Sequence, residues 1–398
     1  MIPLLLLAVS LHTNFEAGSL GKVEPISATH FRCAVKGEVD QKGRNRQASW
    51  YYFRLDGAAG REITLDFVDL LGEYNFSSGE LSIKKTTRPA FSYDNKTWQF
   101  FGDQEVQWDN LTTSLRLRFT PLKNRMWIAH VPPYTTRDLA RLLAASGGSP
   151  YLHAEVVGKT AEGRDMILLT VTNPSVSDAN KKVLWLMARQ HAWEASTSWV
   201  AEGALRFLLS SDPKAGRIRN EAVFKISPMA DPDGVARGGV RFNVHGFDLN
   251  RNWDAVDPKL MPEIAAQHKA MLDWIAGGRR IDLFLTMHNT DGEYLAGPLS
   301  AGSPQVQESV KRFFELLVAN TSFNGPLRDA GLSTTPAMPG RMTVNQGLFH
   351  DFKIPAMGME QTVVFDSKLG RIPTAEDHLA FGAGLVRCMW AAVTDAHP

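Results

Sequence analysis

Up to about residue 130 the chain alternates short apolar and polar runs with turn residues. Ser49-Trp50-Tyr51-Tyr52-Phe53-Arg54-Leu55 is rich in aromatics, Glu62 to Phe67 alternates, and Leu115 to Phe119 alternates apolar with polar residues. Asp56-Gly57, Ser78-Gly79 and Asp94-Asn95 are turn pairs between such runs. Short strands separated by turns predict an antiparallel β-sandwich, with Trp50, Tyr51, Tyr52 and Phe53 in its core. After Val131-Pro132-Pro133 the period changes. Asp138 to Ala145 reads as a helix, and Leu152 to Gly158 with Met166 to Thr172 as a hairpin-like pair. Strands are then predicted at Val183 to Met187, Val223 to Ile226, Ile281 to Met287 and Ala356 to Val364. Helices are predicted at Ser196 to Leu209, Glu263 to Ile275, Gln305 to Leu317 and Ala375 to Ala392. Buried strands alternating with helices predict an α/β domain on a parallel or mixed sheet.

A length of 398 residues suits two such domains, divided as 20–131 and 132–398. The 43 basic and 42 acidic residues leave a net charge of +1, so no global field is available for nucleic acid or an anionic membrane. No run approaches the ~20 apolar residues of a membrane-spanning helix. Ile2 to Val9 is an apolar run followed by Ser10, and with Ala8 it offers small residues at a cleavage-like spacing. Residues 1–19 are therefore expected as a leader, which points to a periplasmic or secreted protein, with the cytoplasm as the alternative. Cys33 and Cys388 have no metal-binding spacing, and would pair only in an oxidising compartment.

In open α/β sheets, functional groups collect past the carboxyl ends of strands. The strand ending at Met187 runs into His191-Ala192-Trp193-Glu194, the one ending at Met287 into His288, and Ala356-Met357-Gly358-Met359 into Glu360. His191 and Glu194, three apart on a turn, can converge on one point that His288 reaches from a neighbouring strand. Two His and one carboxylate with an open position form a hydrolytic zinc site. Downstream lie the turn Asp231-Pro232-Asp233-Gly234-Val235, then Arg241, then Asp248-Leu249-Asn250-Arg251-Asn252-Trp253. Arg251 beside Asn250 offers a forked cation and an amide for gripping a carboxylate.

With these residues the second domain resembles the zinc metallocarboxypeptidases, and the whole chain resembles their cytosolic-carboxypeptidase-like branch. Further support comes from Ser92-Tyr93-Asp94, Pro133-Tyr134-Thr135-Thr136-Arg137-Asp138-Leu139, and Gly158-Lys159 with Glu162-Gly163-Arg164. The resemblance implies an N-terminal β-sandwich followed by a mixed-sheet carboxypeptidase domain. It implies one zinc per chain held by His191, Glu194 and His288, with Asp248 orienting a ligand imidazole. Glu360 would be the general base, Arg241 would stabilise the oxyanion, and Asn250 with Arg251 would hold the substrate's terminal carboxylate. The substrate would be a peptide or protein C-terminus.

The branch removes glutamate, and Arg341 in Pro339-Gly340-Arg341-Met342 is expected to form a basic pocket for an acidic side chain. Two departures stand out. Ala192-Trp193 replaces the common Pro-Gly, and all seven tyrosines lie at or before Tyr294, so none shortly precedes Glu360. Two alternatives share the ligand set: a zinc deacylase or amidase on N-acyl amino acids, and a non-catalytic peptide-binding protein. The sandwich is expected to pack on the catalytic domain and shape the approach to its cleft. Oligomeric state is left open.

Overall fold

The computed structural model describes residues 8–334, 338–394, 396 and 397. Two five-stranded sheets form the N-terminal sandwich. One runs in the order Ser10–His12, Tyr52–Asp56, Arg125–Ala129, Ala90–Ser92, Gln99–Phe100. The other runs Val106–Asp109, Ser114–Phe119, Ile63–Val68, His30–Ala34, Val23–Pro25. Pairing is antiparallel except between His30–Ala34 and Ile63–Val68, which run parallel. Most of the apolar run expected as a leader, residues 1–7, lies outside the described residues. Ser10–His12 pairs with Tyr52–Asp56, so the sandwich extends ahead of the expected start at residue 20.

Strand alternation sends the aromatic run two ways. Tyr51 and Phe53 point into the sandwich core with Leu65, Phe67, Leu115 and Leu117. Trp50 and Tyr52 point out, into a second apolar cluster with Tyr134, Trp193, Met229 and Val240 of the following domain. This cluster joins the two domains. His130 is buried in the same seam, its ring stacked between Tyr51 at 5.7 Å and Trp193 at 5.5 Å.

The second domain is an eight-stranded mixed sheet. Its order is Leu152–Lys159, Asp165–Val171, Ala222–Ser227, Lys182–Met187, Leu283–Thr290, Ala356–Thr362, Tyr294–Gly297, Leu327–Asp329. The four central strands are parallel, and the first two form the expected antiparallel hairpin. The helices are α1 (Thr136–Ser146), α2 (Ala195–Leu209), α3 (Pro213–Glu221), α4 (Pro232–Arg237), α5 (Pro262–Ala276), α6 (Pro304–Asn320), α7 (Val344–Phe352) and α8 (Ala375–Ala392). Leu184, Leu186, Leu283 and Leu285 bury one face of the sheet under α2, α6 and α8, while Trp185 and Phe284 bury the other face with Ile264 and Met271 of α5. α2 and α8 cross closely because Gly203 and Gly382 meet backbone: a Cβ at Gly203 would lie 2.0 Å from Leu379 O, and one at Gly382 2.1 Å from Val200 O.

Two elements differ from the sequence expectation. The strand expected to end at Met287 continues to Thr290. The supposed Asp231 turn is the start of α4, with Asp231 Oδ1 accepting the Gly234 N–H at 2.8 Å. Cys33 and Cys388 are free and buried in separate cores, so they form no disulfide.

Candidate metal centre

His191 and Glu194 lie on the tight turn between the strand Lys182–Met187 and α2, with Glu194 at the N-cap of that helix. The turn is held from inside by buried Arg189, which adopts a left-handed φ of 61°. Its guanidinium donates to Ala192 O at 2.8 Å and to Tyr134 O at 3.2 Å. His288 arrives from the neighbouring strand, and Glu360 is its direct register partner on the next one.

The Glu194 carboxylate lies between the two imidazoles. His191 Nδ1 is 2.8 Å from Oε1 and His288 Nδ1 is 2.9 Å from Oε2. One ligand atom from each residue lies within 4.8 Å of the others, and all three residues are buried. Burial alone would raise the Glu194 carboxyl, but the two imidazoles outweigh it and hold the group low.

The opposite ring nitrogens have their own partners. His191 Nε2 is 3.0 Å from Asp248 Oδ1, so the ring donates there and turns the Nδ1 lone pair to the cluster. His288 Nε2 faces Asn250 Nδ2 at 3.0 Å and Thr286 Oγ1 at 3.3 Å. Two imidazole nitrogens and one carboxylate, converging and oriented from behind, are the donor set of a catalytic zinc site. The residues present fit a zinc ion.

A cavity of about 450 Å³ opens over the cluster, lined by Glu360, Arg241, Asn250, Arg251, Tyr294 and Arg328 among others. Glu360 Oε2 is buried and has no hydrogen-bond partner among the described residues. Burial, and after it the charge of Glu194, pushes the Glu360 carboxyl up to about 8. Arg241 Nε donates to Asp248 Oδ2 at 2.8 Å, so one carboxylate serves both a ligand histidine and a cleft arginine. Asn250 is turned inward: besides facing His288, its Oδ1 accepts the Val344 N–H at 3.1 Å.

The sandwich contributes to this cavity, which the sequence did not foretell in detail. A hairpin, Gly72–Tyr74 and Ser77–Glu80, reaches into the cleft with Asn75 and Phe76 at its tip, at left-handed φ of 47° and 69°. Arg251 Nη2 donates to Tyr74 OH and to Asn75 Oδ1, both at 3.3 Å. The Arg241 guanidinium lies 5.4 Å from the centre of the Tyr74 ring. Arg341 Nη2 donates to the same Asn75 Oδ1 at 2.6 Å, and the guanidinium lies 5.5 Å from the Phe76 ring. Arg341 lines an adjoining cavity of about 170 Å³, shared with Tyr74, Asn75 and Arg251. No phenol lies shortly before Glu360, but those of Tyr74 and Tyr294 line the cavity.

Comparison with known proteins agrees with this geometry. Residues 11–131 match the family model "Cytosolic carboxypeptidase N-terminal domain", and residues 144–300 match "Zinc carboxypeptidase". Mouse cytosolic carboxypeptidase 3 is 26% identical over 295 residues, covering 69% of this chain and 28% of that protein. Human cytosolic carboxypeptidase 2 is 28% identical over 268 residues, covering 63% of this chain and 29% of that protein. The chain thus spans under a third of the length of these curated relatives. A metallo-carboxypeptidase from Burkholderia cenocepacia superimposes with a TM-score of 0.84 at 26% identity, covering 97% of this chain and 99% of that one. Two adjacent family matches and a structural match along nearly the whole molecule support one conclusion: both domains of the chain are similar to those of zinc carboxypeptidases.

Proposed function

We propose that the protein is a zinc-dependent metallocarboxypeptidase that hydrolyses the last peptide bond of a peptide or protein tail, with acidic ends preferred. The observation that carries this is the convergence of His191, Glu194 and His288 under a cavity also lined by Glu360, Arg241 and Arg251. Zinc held by the three ligands would polarise the scissile carbonyl and make an attacking water acidic at neutral pH.

The chain's own residues supply the rest. Glu360 takes a proton from the attacking water and returns it to the nitrogen that leaves as the C–N bond breaks. Arg241, fixed by Asp248, donates to the oxygen that gains negative charge. Arg251, with Asn250 beside it, holds the terminal carboxylate and so restricts cutting to the chain end. A cytoplasmic location is favoured over export, supported by the names of the curated relatives.

Glu360→Gln is the direct test. The variant should retain about one zinc per chain while turnover of C-terminal peptides falls by ~10²-fold or more. Undiminished turnover would remove Glu360 from the mechanism.

A further inference from the structure

Four arginines stand in or beside the cleft, and they are not equivalent. Arg241 is paired with Asp248. Arg251 donates to Asn250 O, Tyr74 and Asn75. Arg341 donates to Asn75 and lines the adjoining cavity. Arg328 is different. It lines the catalytic cavity itself, with its guanidinium 4.1 Å from the centre of the Tyr294 ring, and among the described residues it has no ion pair and no hydrogen bond from its side chain.

Sheet register shows what lies between Arg328 and the centre of the site. Thr286, Gly358, Ala296 and Arg328 are successive partners across four strands. His288, Glu360 and Tyr294 form the next row on the same face. The floor from the Glu360 strand to Arg328 is therefore a glycine and an alanine, both lining the cavity. A Cβ at Gly358 would meet Asn345 Oδ1 only at 3.5 Å and Thr286 Cγ2 at 3.7 Å, so there is room above it. Asn345 Oδ1 accepts from Thr343 Oγ1, while its Nδ2 has no acceptor among the described residues. The result is a shallow channel with a small-residue floor, an amide donor alongside and, at its outer end, a cation with no ion pair among the described residues.

We propose that Arg328 is a specificity-determining residue, which pairs with a carboxylate on the side chain of the substrate's last residue. The inference rests on the carboxypeptidase reading of the cleft, and it moves the selection of an acidic end from Arg341 to Arg328. In that reading Arg251 is the partner of the main-chain carboxylate, leaving Arg328 for a second one. A guanidinium 4.1 Å from the centre of an aromatic ring keeps N–H donors available in a fork that matches a carboxylate.

The test uses the zinc-loaded full chain and peptides identical except for a last residue of Glu, Gln or Lys. Wild type should favour Glu over Gln by about 10-fold or more in kcat/KM, and Arg328→Ala should bring that ratio near one, mainly through KM. Arg328→Glu should favour Lys over Glu. Arg341→Ala should keep the Glu-to-Gln ratio. A ratio unchanged in Arg328→Ala, or lost only in Arg341→Ala, overturns the assignment, as does a wild type that does not distinguish Glu from Gln. Calorimetric binding of the same peptides to Glu360→Gln, with and without Arg328→Ala, gives a readout independent of turnover. If the Glu preference is seen in binding and lost with Arg328 while wild type cuts nothing, the catalytic reading has failed and the assignment of Arg328 stands.

Discussion

The carboxylate of Glu38, a residue of the sandwich, accepts the backbone N–H of Arg241 at 2.7 Å, and that of Phe242 at 3.1 Å through the same oxygen. Its other oxygen accepts from Arg237 Nη2 at 3.1 Å. One domain therefore fixes the main chain from which a cleft arginine of the other projects. If Glu38 acts through Arg241, Glu38→Ala should lower kcat by about 10-fold with zinc content unchanged, the scale of a lost hydrogen bond to a charged group. The same substitution should add little once Arg241→Ala is present. Fully additive losses in that double-mutant cycle would separate the two residues.

Asp248 is shared between His191 Nε2 and Arg241 Nε. Removing it frees the imidazole to rotate and to change tautomer. Asp248→Ala is expected to weaken zinc binding by about 10- to 100-fold, measured by competition with a chelator. An unaltered zinc affinity would show that the turn around His191, held by Arg189, orients the ligand unaided.

His130 gives a pH dependence whose sign can be worked out. Burial pushes its pKa down to about 4, while an unfolded histidine titrates near 6.5. Between these values the unfolded chain binds a proton that the folded one refuses, so stability falls as pH drops from about 6.5 toward 4. His130→Phe keeps a ring between Tyr51 and Trp193, loses the contact of Nδ1 with Ser49 O at 2.6 Å, and cannot titrate. It should be less stable than wild type at pH 7, and that deficit should shrink by about 2 kcal/mol at pH 4.5 in urea unfolding. A deficit that stays constant with pH would mean that the buried ring carries its charge in both states.

Gly203 and Gly382 set the contact of α2 with α8, and either one changed to Ala would drive a methyl group into the other helix's backbone. We expect about 1–3 kcal/mol of destabilisation, seen as a thermal midpoint lower by several degrees. Because Glu194 is the N-cap of α2, the same variants should also loosen the metal centre. An unchanged midpoint would mean that the helices slide apart at no cost.

Much of this site was legible because its residues follow strands whose apolar runs are unmistakable. Val183 to Met187 and Ile281 to Met287 announce themselves, and His191, Glu194 and His288 come directly after. Sequence did not reveal that His288 sits within its strand, because His-Asn-Thr carries no strand signal of its own. Register pairing up to Thr290 with Thr362 extends that strand, and the pairing is nonlocal. α7 was missed although Thr343-Val344-Asn345-Gln346 bears the signal: Thr343 and Gln346 form a capping box. The hairpin with Tyr74 and Asn75 had no such cue, since Gly72 to Glu80 is polar and its role appears only when the sandwich docks. Arg328 was equally silent: a single arginine in a three-residue edge strand gains meaning from Ala296 and Gly358 beside it.

Both thiols are buried, Cys33 in the sandwich and Cys388 in α8, and burial pushes each up to about 12. The candidate metal ligands among the described residues include no sulfur. The described fold therefore depends on no covalent cross-link, and its centre offers no thiolate to an oxidant. Peroxide or glutathione at cellular levels should leave both stability and zinc retention unaltered, so that redox state, which governs many zinc proteins, has no handle on this one.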